Sequence, residues 1–527
     1  MFDFAVLLSM GSVGLGQIFV VENAASNIPQ VTPGSIANPA PVFANSSIAQ
    51  GAMFVVKGNG LGPKTVAIAS AFPLQTSLAG TSIQIVSGGK TVDAIIYYTQ
   101  AEQVAAILPS ATPPGTGSLK LSYNGSTYTL PITVTQSNVA MYTVGQVGAG
   151  DAVVTLADNS LILPNNAPNP GDTVVFWADG LGPVSFDETV PAQAGDMTSV
   201  PLEVFIGGQA AKVLYRGRNP CCVSLDQINV QIPQGVSGCV VSVIMRIGAL
   251  VSNATTMPIA STGRVCTPTN PAISQSDVQR LMAKQTLNIG NISLVRSNPK
   301  PDFVDGATAT FQRFSALSSL VLDTLVDIPA PGSCTVTYSA KGGFTDPTTG
   351  LQRVGLDAGT GMSILGASGN TVTTLQGGTG DYGTNSGQYF QPGAYSVQGA
   401  GGADVGSFNV AVTMGPPPVL TNLQSVTIER TQNFTISWTG GDPSGYATIT
   451  GVANDAPGGD AYFNCTARSS DGTFTVPAPI LQSLPANSNG SLQVQTSSPI
   501  TQFTVNGLDL GIAWASEATY GPVATYQ

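Results

Sequence analysis

The sequence contains no histidine, and only 9% of its 527 residues are charged. Without imidazole, Ser-His-Asp and Cys-His nucleophile pairs and histidine general bases are excluded. The same absence, together with the lack of any Cys-x-x-Cys spacing, removes the usual zinc sites, and no metal or cofactor is expected. Ordinary soluble chains carry about 25% charged residues, so hydroxyls and amides must make the water-facing surface here. Cations are scarcer still: 18 Lys and Arg stand against 29 Asp and Glu, a formal net charge of −11. Nucleic-acid binding needs a basic stripe and anionic membrane surfaces attract basic clusters; the chain has neither. No run of eighteen apolar residues exists, so no transmembrane helix is expected.

Glycine and proline are plentiful, at 61 and 37 residues, and they punctuate a repeat. Residues 171–183 read GDTVVFWADGLGP, and residues 51–63 read GAMFVVKGNGLGP. Between the glycines lies an apolar, β-branched and aromatic run of the kind that fits a pleated, half-buried surface. The closing Gly-Leu-Gly-Pro ends it, because glycine turns the chain and proline cannot donate to a ladder. No helix or Lys-Ser/Thr follows, which argues against a phosphate loop. The copies stay aligned downstream: Gly88-Gly89 matches Gly207-Gly208 at a hairpin position, and Pro109 matches Pro233. Ile228, Val230 and Ile232 alternate with Gln227, Asn229 and Gln231, as Leu119 and Leu121 do with Lys120 and Ser122. Period two with one apolar face marks antiparallel strands of a sandwich.

This order of glycine, strand, GLGP, strand, Gly-Gly, strand and proline resembles the IPT/TIG type of immunoglobulin-like domain. Copy two, with GLGPV, IGG, DQINVQIPQGV and VSNATTMPIA, is similar to an uncharacterised repeat domain family of secreted acidobacterial proteins; it covers about a fifth of the chain. The resemblance implies an extracellular β-sandwich and transfers no catalytic residue. The expected fold class is all-β, with tandem immunoglobulin-like β-sandwich domains. Residues 1–20 read as a signal peptide, although Asp3 stands where a basic residue is usual. Repeat 1 spans 21–138 and repeat 2 spans 139–262. A linker with one short helix, capped at Ser276, spans 263–284. A third sandwich spans 285–415. After the stiff Gly-Pro-Pro-Pro stretch, a fibronectin-like fourth spans 416–527.

Six cysteines, Cys221, Cys222, Cys239, Cys266, Cys334 and Cys465, suggest disulfides and an oxidising compartment. The expected pairing joins Cys221 and Cys222 separately to Cys239 and Cys266, in either combination, and Cys334 to Cys465. A direct Cys221–Cys222 bond is the alternative. Among carboxylates, Asp172, Asp179, Asp187, Glu188 and Asp196 are the candidates for a two-carboxylate glycosidase, and Asp442, Asp455 and Asp460 for calcium. Nothing in their spacing brings them together, so surface and turn roles are expected. The aromatics that could contact a ligand are Tyr97, Tyr98, Trp177, Trp514 and above all Tyr389 and Phe390, beside a glycine-rich stretch; Trp177 and Trp438 read as core. The chain is therefore expected to be a secreted or cell-surface binding or adhesion protein rather than an enzyme, its partner an extracellular protein or a glycan. Self-association into a matrix, sheath or filament is the second reading, and a carboxylate glycoside hydrolase the third.

Overall fold

The computed structural model describes residues 20–30, 43–191, 195–298, 304–315, 318–322, 327–340, 343–344, 352–384, 387, 390–422, 426–455 and 459–527. Residues 1–19 of the expected signal peptide and Tyr389 lie outside the described residues. The chain is all-β, built of immunoglobulin-like β-sandwich units in tandem.

In the first unit, β1 (Val20–Asn23), β2 (Met53–Lys57), β3 (Thr81–Ser87), β4 (Lys90–Asp93), β5 (Ile95–Thr99), β6 (Gln103–Ile107), β7 (Gly115–Tyr123) and β8 (Ser126–Thr135) form two sheets. One runs β1-β2-β6-β5 and the other β8-β7-β3, with β4 paired on β3. Gly88 and Gly89 both take positive φ at the β3–β4 turn, as a two-residue hairpin of this hand requires. The chain then changes sheets at Ala94, so the core is shared by both faces: Phe54, Ile83, Ile85, Ile96 and Leu119 are all fully buried.

The second unit repeats the plan with β9 (Thr173–Asp179), β10 (Leu202–Ile206), β11 (Gln209–Arg218), β12 (Asp226–Gln231), β13 (Gly238–Ile247) and β14 (Thr255–Ile259). Here the change of sheet happens within β11, between Ala211, which pairs with Val204, and Lys212, which pairs with Gln231, just ahead of a bulge between Val213 and Tyr215. The Gly-Leu-Gly-Pro glycines are obligatory at one point: Gly180 takes φ +92°, and a Cβ there would meet the Asn138 carbonyl at 2.2 Å. The linker helix α1 (Gln275–Met282) is present, but its N-cap is Ser274, two residues earlier than expected, closed by a capping box with Asp277.

The C-terminal strands that matter are β15 (Leu287–Asn298), β16 (Val304–Phe314), β17 (Cys334–Ala340), β18 (Phe434–Thr439), β19 (Tyr446–Asp455), β20 (Gly459–Arg468), β21 (Asn487–Ser497) and β22 (Leu510–Tyr520). They correct the expected division at 415/416. Strand β15 pairs in parallel with β22 along its length, Ile289 to Leu510 through Asn298 to Thr519. Strand β17 pairs with β20. Residues 287–527 are thus one interleaved unit with two cores, one around Ile292, Phe311 and Ala513 and one around Val336, Ile449, Phe463 and Trp438. The Gly-Pro-Pro-Pro stretch is a strap rather than a spacer: Gly441 N–H donates to the Pro416 carbonyl at 3.2 Å, and the Thr519 hydroxyl to Pro418 at 2.6 Å.

The units are not independent beads. Phe43 packs its ring on Tyr338 with centroids 4.9 Å apart. Asn45 donates to the Val251 carbonyl at 2.9 Å and to the Tyr338 hydroxyl at 3.0 Å, so one short segment ties all three parts together.

The disulfides are Cys221–Cys222, Cys239–Cys266 and Cys334–Cys465. The last matches the expected pairing; the first two correct it. The reason lies in where the loop goes. Residues 219–225 fold onto the first unit, where Val223 and Leu225 enter a core with Met53 and Tyr98. Cys239 and Cys266 sit in a separate core against α1.

Candidate ligand-binding cleft

Most of the carboxylates singled out in the sequence hold local structure together. Asp187 caps Thr189, Asp196 accepts from Arg216 N–H at 3.3 Å, and Glu188 accepts from the Ser110 hydroxyl at 2.6 Å and its N–H at 2.8 Å. Asp172 is exposed and caps Asn169 at 2.9 Å. Asp442 caps Ser444, while Asp455 and Asp460 lie at the β19–β20 hairpin. Among the described residues no three acidic or cysteine side chains form a metal-binding group.

Asp179 is the exception in kind. It is fully buried where the first two units meet, and its Oδ2 accepts the Met53 N–H at 2.8 Å. Asp226, also fully buried, accepts the Leu181 N–H at 2.8 Å and pairs with Arg218. Arg218 in turn donates to the carbonyls of Gly182 at 2.9 Å and Gly51 at 3.1 Å. Burial, reinforced by the charge of Asp226, holds the Asp179 carboxyl well above the usual range, against the pull of Arg218. Each polar atom faces a partner, so the cluster joins the two units.

Among the aromatics, Phe390 is 1% exposed and packs edge-on against Tyr395, which corrects its expected role as a ligand contact. A side chain beside a glycine-rich stretch can still turn inward when a core lies beneath it. Tyr98 and Trp438 are buried, and Trp438 donates its indole N–H to the Ser469 carbonyl at 3.1 Å. Tyr97, Trp177 and Trp514 are half-buried; the last two donate to Thr155 and Asn291.

A cleft of about 580 Å³ opens between the second unit and the outer face of the C-terminal sheet. Its floor is β17, β20, β19 and β21 side by side. Their residues alternate: Val336, Phe463, Ile449 and Val494 point into the core, and the intervening ones face the cleft. Directly opposed across the strands are Thr335 with Asn464, Asn464 with Thr450, and Thr450 with Gln493. Tyr462, Thr448 and Gln495 flank this row. Thr450 donates to Asn464 Oδ1 at 2.7 Å, and Gln495 to the Ser516 hydroxyl at 2.7 Å. The Gln493 side-chain oxygen is buried with no hydrogen-bond partner among the described residues. The opposite wall comes from Gly150, Thr256 and Asp327, with apolar Ala149, Val240, Ala254 and Pro329 between them. Asp327 accepts backbone N–H groups of Asn270 at 2.8 Å and Thr269 at 3.2 Å; burial pushes its carboxyl up to about 6, against these bonds. Among the described residues no Lys or Arg lines the cleft.

Such a lining offers hydroxyl, amide and carboxylate groups to a ligand that both donates and accepts, and it offers no cation to an anion. A smaller pocket of about 340 Å³ lies across β13, walled by Phe205, Ile244, Pro477 and Pro479; its Arg246 is already paired with Glu203 at 2.7 Å. The cleft residues escaped the sequence reading because Thr-x-Thr and Gln-x-Gln alternation is common in any hydroxyl-rich strand. Only the strand order shows that four such strands lie together.

No protein-family profile and no curated protein matches the chain. It is similar to several solved structures. A titin I9–I11 tandem aligns over 69% of this chain and 92% of its own, at 8% identity and TM-score 0.13. The Bacteroides ovatus mixed-linkage glucan utilization locus protein SGBP-B, in complex with a mixed-linkage heptasaccharide, aligns over 84% and 90%, at 9% identity and TM-score 0.16. Domains 4 and 5 of the S-layer protein SbsC align over 46% and 99%, at 10% identity and TM-score 0.12.

Proposed function

We propose that this chain is a secreted, non-catalytic binding protein that holds a neutral, hydroxyl-rich glycan in the cleft between its second unit and its C-terminal sheet. The observation that carries this reading is the lining: a floor of threonine hydroxyls and asparagine and glutamine amides, one carboxylate on the wall, and no cation among the described residues. Gln493 belongs to the same floor, directly opposite Thr450. The three disulfides support an oxidising, extracellular setting, in line with the resemblance of the second repeat to domains of secreted proteins.

The test is calorimetric titration of the intact chain with neutral glucans and xylans, and with polygalacturonate as an anionic control. Neutral polymers are expected to bind and the anionic one to fail. Gln493→Ala and Asn464→Ala are each expected to weaken binding about five- to tenfold, the worth of one hydrogen bond. Equal affinity for the anionic control, or variants that bind like the parent, would overturn the reading.

A further inference from the structure

The floor of the cleft does not stop at its mouth. The cross-strand row Thr335, Asn464, Thr450, Gln493 continues one strand further, because Gln493 lies directly opposite Tyr520 on β22. Directly opposed residues of an antiparallel pair share a face, so Tyr520 stands on the same surface as the amides and hydroxyls of the floor. It is 42% exposed, among the more exposed large side chains of the described chain, and it does not line the cleft itself. Four strand steps of about 4.8 Å make this row roughly 19 Å long, running across the strands. It is an alternation of hydroxyl and amide groups that ends in an open aromatic ring.

We infer that the binding track leaves the cleft along this row and ends on Tyr520, so the ligand is a polymer lying across the strands rather than a mono- or disaccharide. The inference rests on the glycan reading above. An aromatic ring presents a flat apolar face to the C–H face of a sugar ring, while the tyrosine hydroxyl stays in water. Amides at Asn464 and Gln493 hold the ring hydroxyls of the preceding units. A short ligand fills the cleft alone and never reaches Tyr520; a longer one gains the contact.

The experiment compares disaccharides with hexasaccharides of the neutral glucan or xylan series, on the parent chain and on Tyr520→Ala and Tyr520→Phe. The parent is expected to bind the hexasaccharide more tightly than the disaccharide. Tyr520→Ala is expected to lose about tenfold on the hexasaccharide and nothing on the disaccharide, and Tyr520→Phe to keep the parent's affinity for both. Because Tyr520 is exposed, these variants leave the core intact. Equal affinity for both lengths, or a Tyr520→Ala variant that is silent or weakens both ligands alike, overturns the track and leaves the cleft standing. Failure of the parent to bind either length overturns the glycan reading itself.

Discussion

At the residue scale the most consequential side chains are the few charges that the fold buries. Arg218 is 3% exposed and ties together Asp226, Gly182 and Gly51, which belong to two different units. Removing it leaves two carboxylates in a dry site without their cation. Arg218→Met is expected to destabilise the chain by about 3–5 kcal/mol, read from urea denaturation, because breaking a buried pair strands the remaining charge. Asp327 gives a pH dependence. Its carboxyl is raised to about 6, whereas in an unfolded chain it titrates near 3.9. Between those values the folded chain holds a proton that the unfolded chain has released. Its contribution is therefore fully present below the unfolded value and is lost as pH rises through the folded one, by about 3 kcal/mol in all. Asp327→Asn, which keeps an acceptor for Thr269 and Asn270, is expected to flatten the denaturation midpoint between pH 4 and 7.

At the element scale, what could be read in advance was whatever depends on neighbours in sequence. The Gly-Gly hairpins, the alternating cores at Ile228, Val230 and Ile232, the buried Trp438 and the linker helix α1 all follow from local periodicity and turn chemistry. The pairing of elements does not. Nothing in residues 287–298 announces a parallel partner at 510–520, because a strand's edges offer the same N–H and C=O groups whatever its side chains are. The same limit hid the cleft: Thr450 and Gln493 are ordinary strand residues until the ladder sets them opposite each other. Phe390 shows the converse, since its flanks suggested a loop and its ring went into the core. The Cys221–Cys222 bond, the alternative to pairing with Cys239 and Cys266, forms for a third reason: loop 219–225 turns toward the other repeat instead of toward Cys239.

At the scale of the whole molecule, the interleaving of residues 287–527 makes a claim about cooperativity. Residues 285–415 alone would lack β22 beside β15 and β20 beside β17. That fragment is expected to show no cooperative unfolding by circular dichroism, whereas residues 263–527 are expected to unfold in one transition. A sharp transition for the shorter piece would restore a boundary at 415. The cleft depends on the same arrangement, since its floor is C-terminal sheet and its far wall comes from the second unit and Asp327. A ligand seated there touches both and would resist their separation, as any ligand of the native state does.

The parallel pairing of β15 with β22 also has a consequence in time. The chain leaves the ribosome from its N-terminus, and residue 298 emerges more than two hundred residues before residue 510. At roughly 5–20 residues per second that is a wait on the order of 10–40 s. Throughout it, the two repeats can close on themselves, while β15 holds an open edge with no partner yet made. Cys334 waits likewise for Cys465. Newly made chains of this protein therefore pass through a stage in which the front is finished and the back is adhesive, and whatever escorts them must guard that edge until the last strand arrives.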